Sequence, residues 1–261
     1  MTKSLIIFDL DGTLAESKSA VDPEMVSLLV SLLRVTLVAI ISGGDWPQFL
    51  AQVLSKMPAG ADFDHLMLLP TCGTKFYRFK GSWNKLYSED LTAEEKRSTM
   101  TALDTAIERS GLKPAKTWGE VIEDRDTQIT YSALGQLAPL EAKKAWDPDF
   151  SKRKRFKAIV DSLIPDLSVK IGGATSIDVT KPGIDKAYGI RKLESILEVA
   201  ISDMVFVGDA LFPGGNDAPV RDEGVTSIQV RDPEESKRVI ETFLACVTGS
   251  LTSGGSSQMR M

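Results

Sequence analysis

The chain has 261 residues, enough for a sizeable core in one large domain or two smaller ones. Its hydrophobic (43%) and charged (26%) fractions are those of an ordinary globular protein, and a net charge of −5 argues against nucleic acid or an anionic membrane as partner. Two cysteines, Cys72 and Cys246, exclude a disulfide framework and fit a reducing, cytoplasmic setting; no apolar run approaches the roughly 20 residues of a membrane span.

In chain order, the apolar run Leu5 to Phe8 predicts a buried strand that leads into Asp9 and Asp11, with no signal-peptide pattern ahead of it. Asp22 and Pro23 then cap and open a helix with apolar residues at helical spacing. "TLVAII" reads as a second buried strand, closed by Ser42-Gly43-Gly44-Asp45, where Gly44 or Asp45 caps the next helix. "HLMLLP" is a third strand, and the β-α-β-α-β order argues for a parallel sheet covered by helices on both faces.

From about Gly81 to Lys181 the pattern changes to helix, paired strands, helix and paired strands, an α+β module. After Asp185 a helix and the apolar strands "MVFVGD" and "VTSIQV" resume the α/β layer. The division expected is therefore core 1–82, inserted α+β domain 83–182, core 183–248 and a disordered polar tail 249–261.

Two carboxylates two residues apart at a strand end raise each other's pKa unless a cation or a reaction uses them. Ligands of parallel sheets bind beyond the carboxyl ends of the strands. Asp9 and Asp11 lie beyond one such end, Ser42 beyond a second and Gly208-Asp209 beyond a third. Any one of these could be a turn or cap residue, but three at one rim point to a site. Carboxylates from separate strands make a hard oxygen site suited to Mg²⁺ and a substrate phosphate. One carboxylate can then act as nucleophile and the other as general acid and base.

"DLDGT" (Asp9 to Thr13) resembles the first motif of the haloacid dehalogenase superfamily. "VGDALFPGGND" (Val207 to Asp217) resembles its fourth motif, and "GGATSIDVTKPGIDK" (Gly172 to Lys186) its return from an inserted cap, both in the form of eukaryotic-type phosphomannomutases and type IIB sugar phosphatases. The resemblance spans Leu5 to about Val247 and implies a Rossmann-like core with an α+β cap. It implies Asp9 as the nucleophile that forms an aspartyl-phosphate, and Asp11 as acid/base with its backbone carbonyl on Mg²⁺. It also implies Asp209 as a metal ligand and Asp217 as a direct or water-mediated support. Ser42, Gly43, Asn216 and Lys186 would hold the phosphate, with Lys181 the runner-up lysine.

In the cap, "EDRDTQITYSALGQ" matches a segment that brings two arginines to the distal phosphate in the mutases. Arg125 keeps the first, Gln136 replaces the second, and Lys143 stands where a third arginine is expected. Ser176 and Asp178 match sugar-contacting residues. Cys72 stands where the family has Asn, while the lone His65, the basic "SKRKRFK" and the four tryptophans read as structural or solvated. The resemblance implies Mg²⁺-dependent phosphoryl transfer on a small phosphorylated sugar, with a homodimer as an admissible assembly. Replacement of the arginines leans the expectation towards a phosphatase. A hexose-phosphate mutase is the alternative, aided by Lys18, and a non-catalytic sugar-phosphate-binding protein is the third reading.

Overall fold

The computed structural model describes residues 4–112, 114 and 116–253, with side chains as far as residue 247. The chain divides into two compact units, Met1–Tyr87 with Asp185–Met261, and the inserted Ser88–Ile184.

The first unit is built on β1 (Leu5–Asp9), α1 (Pro23–Leu33), β2 (Leu37–Ile41), α2 (Trp46–Gln52), β3 (Leu66–Leu69), β4 (Lys75–Phe79) and β5 (Trp83–Ser88). The inserted unit contributes α3 (Ala93–Ser110), β6 (Ile122–Asp124), β7 (Gln128–Ser132), α4 (Leu140–Trp146), α5 (Ser151–Leu163), β8 (Ser168–Ile171) and β9 (Ser176–Thr180). The chain then returns through α6 (Lys186–Leu197), β10 (Met204–Gly208), α7 (Ala218–Asp222), β11 (Thr226–Gln229) and α8 (Pro233–Ser253).

The first unit carries one sheet in the order β11-β10-β1-β2-β3-β4-β5. The pairs from β11 to β3 are parallel, and β4 turns back antiparallel on β3. Strand alternation sends Ile6 and Phe8 into one apolar cluster with Met25 and Leu29, and Leu5 and Ile7 into a second with Ile190 and Leu193. Both faces of the sheet are thus buried, as continuous apolar strands require.

The inserted unit has an antiparallel sheet in the order β6-β7-β9-β8. One face packs Ile129, Tyr131, Ile177 and Val179 against Leu103, Phe156 and Val160 of α3 and α5.

Three boundaries differ from expectation, the smallest being the end of the insertion, which falls at Ile184 and not at 182. Trp83–Ser88 is the edge strand of the first sheet, so the insertion begins at Ser88. The Trp83 ring explains this: it lies 5.9 Å from Trp46, 5.7 Å from Phe63 and 5.6 Å from Phe79, all in the first unit. Helix α8 also continues through Ser253, five residues into the stretch expected to be disordered, and the remainder of that stretch, 254–261, lies outside the described residues. Among the described residues no helix is long and apolar enough to cross a membrane.

Candidate active site

Parallel pairing fixes where the polar residues emerge. Phe8 registers with Val207 and Asp9 with Ile41, so Asp9, Ser42 and Asp209 leave neighbouring strands at one edge. Asp9 is 4% exposed and Ser42 3%. The return helix α6 begins with Lys186, whose side chain is 1% exposed and whose ammonium donates to both Asp9 Oδ1 and Asp217 Oδ1. Asp217 is wholly buried, and its second oxygen accepts from the Ala210 N–H at 2.9 Å.

Carboxylate oxygens of Asp9, Asp209 and Asp217 all lie within 4.8 Å of one another. Burial pushes the Asp9 carboxyl up to about 7, opposed by Lys186 and reinforced by Asp217 and Asp209. Burial and the Asp217 charge likewise raise Asp209, with Lys186 opposing. Burial by itself would lower Lys186, but Asp9 and Asp217 outweigh it and hold the ammonium charged. Three clustered carboxylates against one buried ammonium leave uncompensated negative charge. Hard oxygen donors in that state fit a divalent cation such as Mg²⁺.

Two motif residues complete this corner. Gly12 has φ +90°, and a Cβ there would stand 2.6 Å from Asp209 Oδ2, so only glycine lets the Asp209 carboxylate approach. Thr13, fully buried, donates from Oγ1 to Asp9 Oδ2 at 3.4 Å and also bonds Asp209. Thr13 falls inside the recognised motif but was given no role by sequence reasoning; its burial beside two acids is the missing signal.

The other expected residues are distributed as follows. Ser42 Oγ accepts from the Gly44 N–H at 3.1 Å, which orients the hydroxyl beside half-buried Gly43. Asn216 is exposed on its loop. The Asp11 carboxylate is not in the acidic cluster. It accepts from the Lys18 N–H and Gln48 Nε2, both at 2.6 Å, and from Gln52 Nε2 at 3.2 Å. Lys181 donates to the Asp90 carbonyl at 2.7 Å inside the inserted unit, whereas Lys186 reaches Asp9.

The inserted unit has a polar sheet face. Asp178 Oδ1 accepts from Gln128 Nε2 at 2.9 Å and Thr130 Oγ1 at 2.7 Å, and Ser176 bonds Ser132 at 3.0 Å. Burial raises the Asp178 carboxyl, with the Arg125 charge and the Thr130 and Gln128 bonds opposing. Arg125 is engaged by Glu123 at 2.6 Å. Lys143 donates to the Gln136 carbonyl at 3.1 Å, so these two meet. Gln128, Thr130 and Ser132 were not anticipated, although their alternation with Ile129 and Tyr131 marks them as one face.

A parallel sheet with Asp9, Ser42 and Asp209 at its strand ends, and Lys186 returning after an α+β insertion, is the arrangement of the haloacid dehalogenase class. Comparison with known proteins narrows this. The family described as "Eukaryotic phosphomannomutase" matches residues 25–246. Phosphomannomutase of Spinacia oleracea is 28% identical over 256 residues, 92% of this chain and 96% of the relative. That of Encephalitozoon cuniculi is 25% identical over 257 residues, 93% of this chain and 94% of the relative. The IMP-nucleotidase of Plasmodium falciparum, N-terminally truncated and bound to IMP, shares the fold with TM-score 0.65 at 14% identity, over 93% of this chain and 68% of that one. The chain belongs to the eukaryotic phosphomannomutase family. It is an enzyme of the haloacid dehalogenase type, not a binding protein on the same scaffold.

Proposed function

We propose that the protein is a Mg²⁺-dependent hexose-phosphate mutase of the phosphomannomutase type, passing a phosphoryl group through Asp9. The buried Asp9–Lys186–Asp217 ion-pair chain beside Asp209 carries this reading. Family membership supports a phosphorylated sugar as substrate and transfer between hydroxyls as the outcome, and so favours the mutase over the phosphatase towards which the sequence leaned.

In this reading an Asp9 oxygen attacks phosphorus in line, the bond from phosphorus to the sugar oxygen breaks, and Asp11 gives that oxygen a proton. Asp11 then takes the proton of the accepting hydroxyl, whose oxygen attacks the aspartyl-phosphate and restores the Asp9 carboxylate. Lys186 neutralises the phosphoryl oxygens, while Ser42, the Gly43 backbone and Asn216 hydrogen-bond them. Asp9, Asp209, Asp217 and the Asp11 carbonyl would hold Mg²⁺, which when bound supplies further neutralisation of phosphoryl charge. Arg125, Gln136, Lys143, Ser176 and Asp178 are assigned to the sugar and its second phosphate.

Transfer to water is the second reading. It is favoured by the two replaced arginines, because Gln136 and Lys143 cannot form a bidentate guanidinium fork on phosphate. Each lost charge-assisted bond of about 1.5–3 kcal/mol would shorten retention of a bisphosphorylated intermediate tenfold or more. The test is incubation with mannose 1-phosphate or glucose 1-phosphate, the matching bisphosphate and Mg²⁺, following both products. The mutase reading expects hexose 6-phosphate to accumulate faster than inorganic phosphate. Dominant phosphate release would replace it with the phosphatase.

A further inference from the structure

Helix α2 presents two glutamines, Gln48 and Gln52, one turn apart on the same face. Both amide nitrogens reach the Asp11 carboxylate, Gln48 at 2.6 Å on Oδ2 and Gln52 at 3.2 Å on Oδ1. We propose that Gln48 and Gln52 are positioning residues for the proton-transfer step, holding the Asp11 carboxylate in register with the phosphate loop. The inference rests on the phosphoryl-transfer reading and deepens it.

Three observations carry it beyond a chance surface bond. Gln52 is 3% exposed and its Nε2 faces two acceptors, Asp11 Oδ1 and the Ser19 carbonyl, the latter at 2.5 Å. Its Oε1 is buried and, among the described residues, has no hydrogen-bond partner, so the amide is oriented by the two acceptors that its Nε2 serves. It cannot turn here, because a carboxylate and a carbonyl both demand a donor.

Gln48 lies against the Ser42 loop while its amide donates to the same carboxylate. Any Cβ at Gly44 would collide with the Gln48 amide, so the glycine is what lets that amide lie against the loop. The Gly44 N–H is also the donor to Ser42 Oγ. One short helix thereby couples the group assigned to proton transfer with the group assigned to phosphate. The Lys18 N–H is a third donor to Asp11, so both carboxylate oxygens, Oδ1 and Oδ2, are engaged.

A group that positions a general acid matters in proportion to how badly the leaving oxygen needs a proton. A sugar alkoxide needs one, whereas p-nitrophenolate leaves without it. The experiment compares Gln48→Met and Gln52→Met with the wild type on mannose 1-phosphate and on p-nitrophenyl phosphate, with thermal melts alongside. Methionine keeps the length of the side chain and removes its donor. The expected result is a fall of about tenfold or more in the ratio of sugar-phosphate to aryl-phosphate turnover, a part of the roughly 10²–10⁴ that acid–base catalysis supplies in full. Equal losses on both substrates, or an unchanged ratio, would overturn the inference while leaving the proposed function standing. No phosphate transfer by the wild type from either substrate would overturn both. Should Gln52→Met melt below the assay temperature, Gln48→Met, whose side chain is only half-buried, decides the matter.

Discussion

Lys186 is the residue around which the site is charged. A buried ammonium is costly unless paired, and here it touches two carboxylates, Asp9 and Asp217, that would themselves be costly without it. Cys72 shows a different constraint on the same rim. Its backbone is left-handed, φ 57° and ψ 28°, following Thr71 at φ 49°. The turn is held there by the Cys72 N–H on the Ser42 carbonyl and the Thr71 N–H on the Gly44 carbonyl, both at 2.9 Å. Cys72 stands where the family has Asn, and the backbone shows that this costs conformational energy, because Asn adopts the left-handed region more readily than Cys. Cys72→Asn should therefore stabilise the protein by roughly 0.5–1 kcal/mol, and β-branched Cys72→Val should destabilise it. Urea midpoints read the difference, and a Val variant at or above the wild type would refute the strain.

At the scale of elements, the start of α5 is organised by a buried pair. The Asp147 carboxylate accepts from the Lys152 and Arg153 N–H groups at 2.9 and 3.1 Å and from Arg153 Nε at 2.8 Å. Burial would raise the Asp147 carboxyl, but the Arg153 bond and these N–H groups outweigh it and hold it below the usual range. A carboxyl lowered by folding contributes stability that is present above its unfolded value near 3.9 and lost as pH falls through the folded value. Asp147→Ala should cost about 3–5 kcal/mol near neutrality, because it strands a buried guanidinium, and should flatten the acid limb of the stability curve. Urea unfolding from pH 7 to pH 3 measures both; a variant whose acid limb parallels the wild type would contradict the assignment. The basic stretch "SKRKRFK" read as a solvated face, but Arg153 within it is 3% exposed, because its partner comes from six residues upstream. Asp45 departs from expectation for a similar reason. It stands at the N-cap of α2 but makes no side-chain cap bond, since its carboxylate takes the buried Lys75 ammonium at 2.9 and 3.1 Å. Strands β1, β2, β3 and β10 were legible because apolar runs ending in polar residues have few other interpretations. Strands β4 and β5 and helices α4 and α7 were not, since they are short, partly exposed segments without such a run, and neither was α8, which packs on α1 from the other end of the chain.

For the whole molecule, the rim residues Asp9, Ser42 and Asp209 could be read from strand ends, and Lys186 from the resemblance. The bond from Lys186 to Asp217 and the tether on Asp11 could not, because they join residues 31 and 37 positions apart through side-chain geometry. The central claim is that phosphoryl groups pass through Asp9, and it can be tested without knowing the final acceptor. The protein is mixed with ³²P-labelled hexose bisphosphate and Mg²⁺, quenched in acid, and reduced with borohydride, which converts an aspartyl-phosphate to homoserine. Peptide sequencing should then find homoserine at position 9 and nowhere else, and neither label nor homoserine in Asp9→Asn. Homoserine at Asp11 or Asp209, or turnover of substrate by Asp9→Asn, would contradict the account.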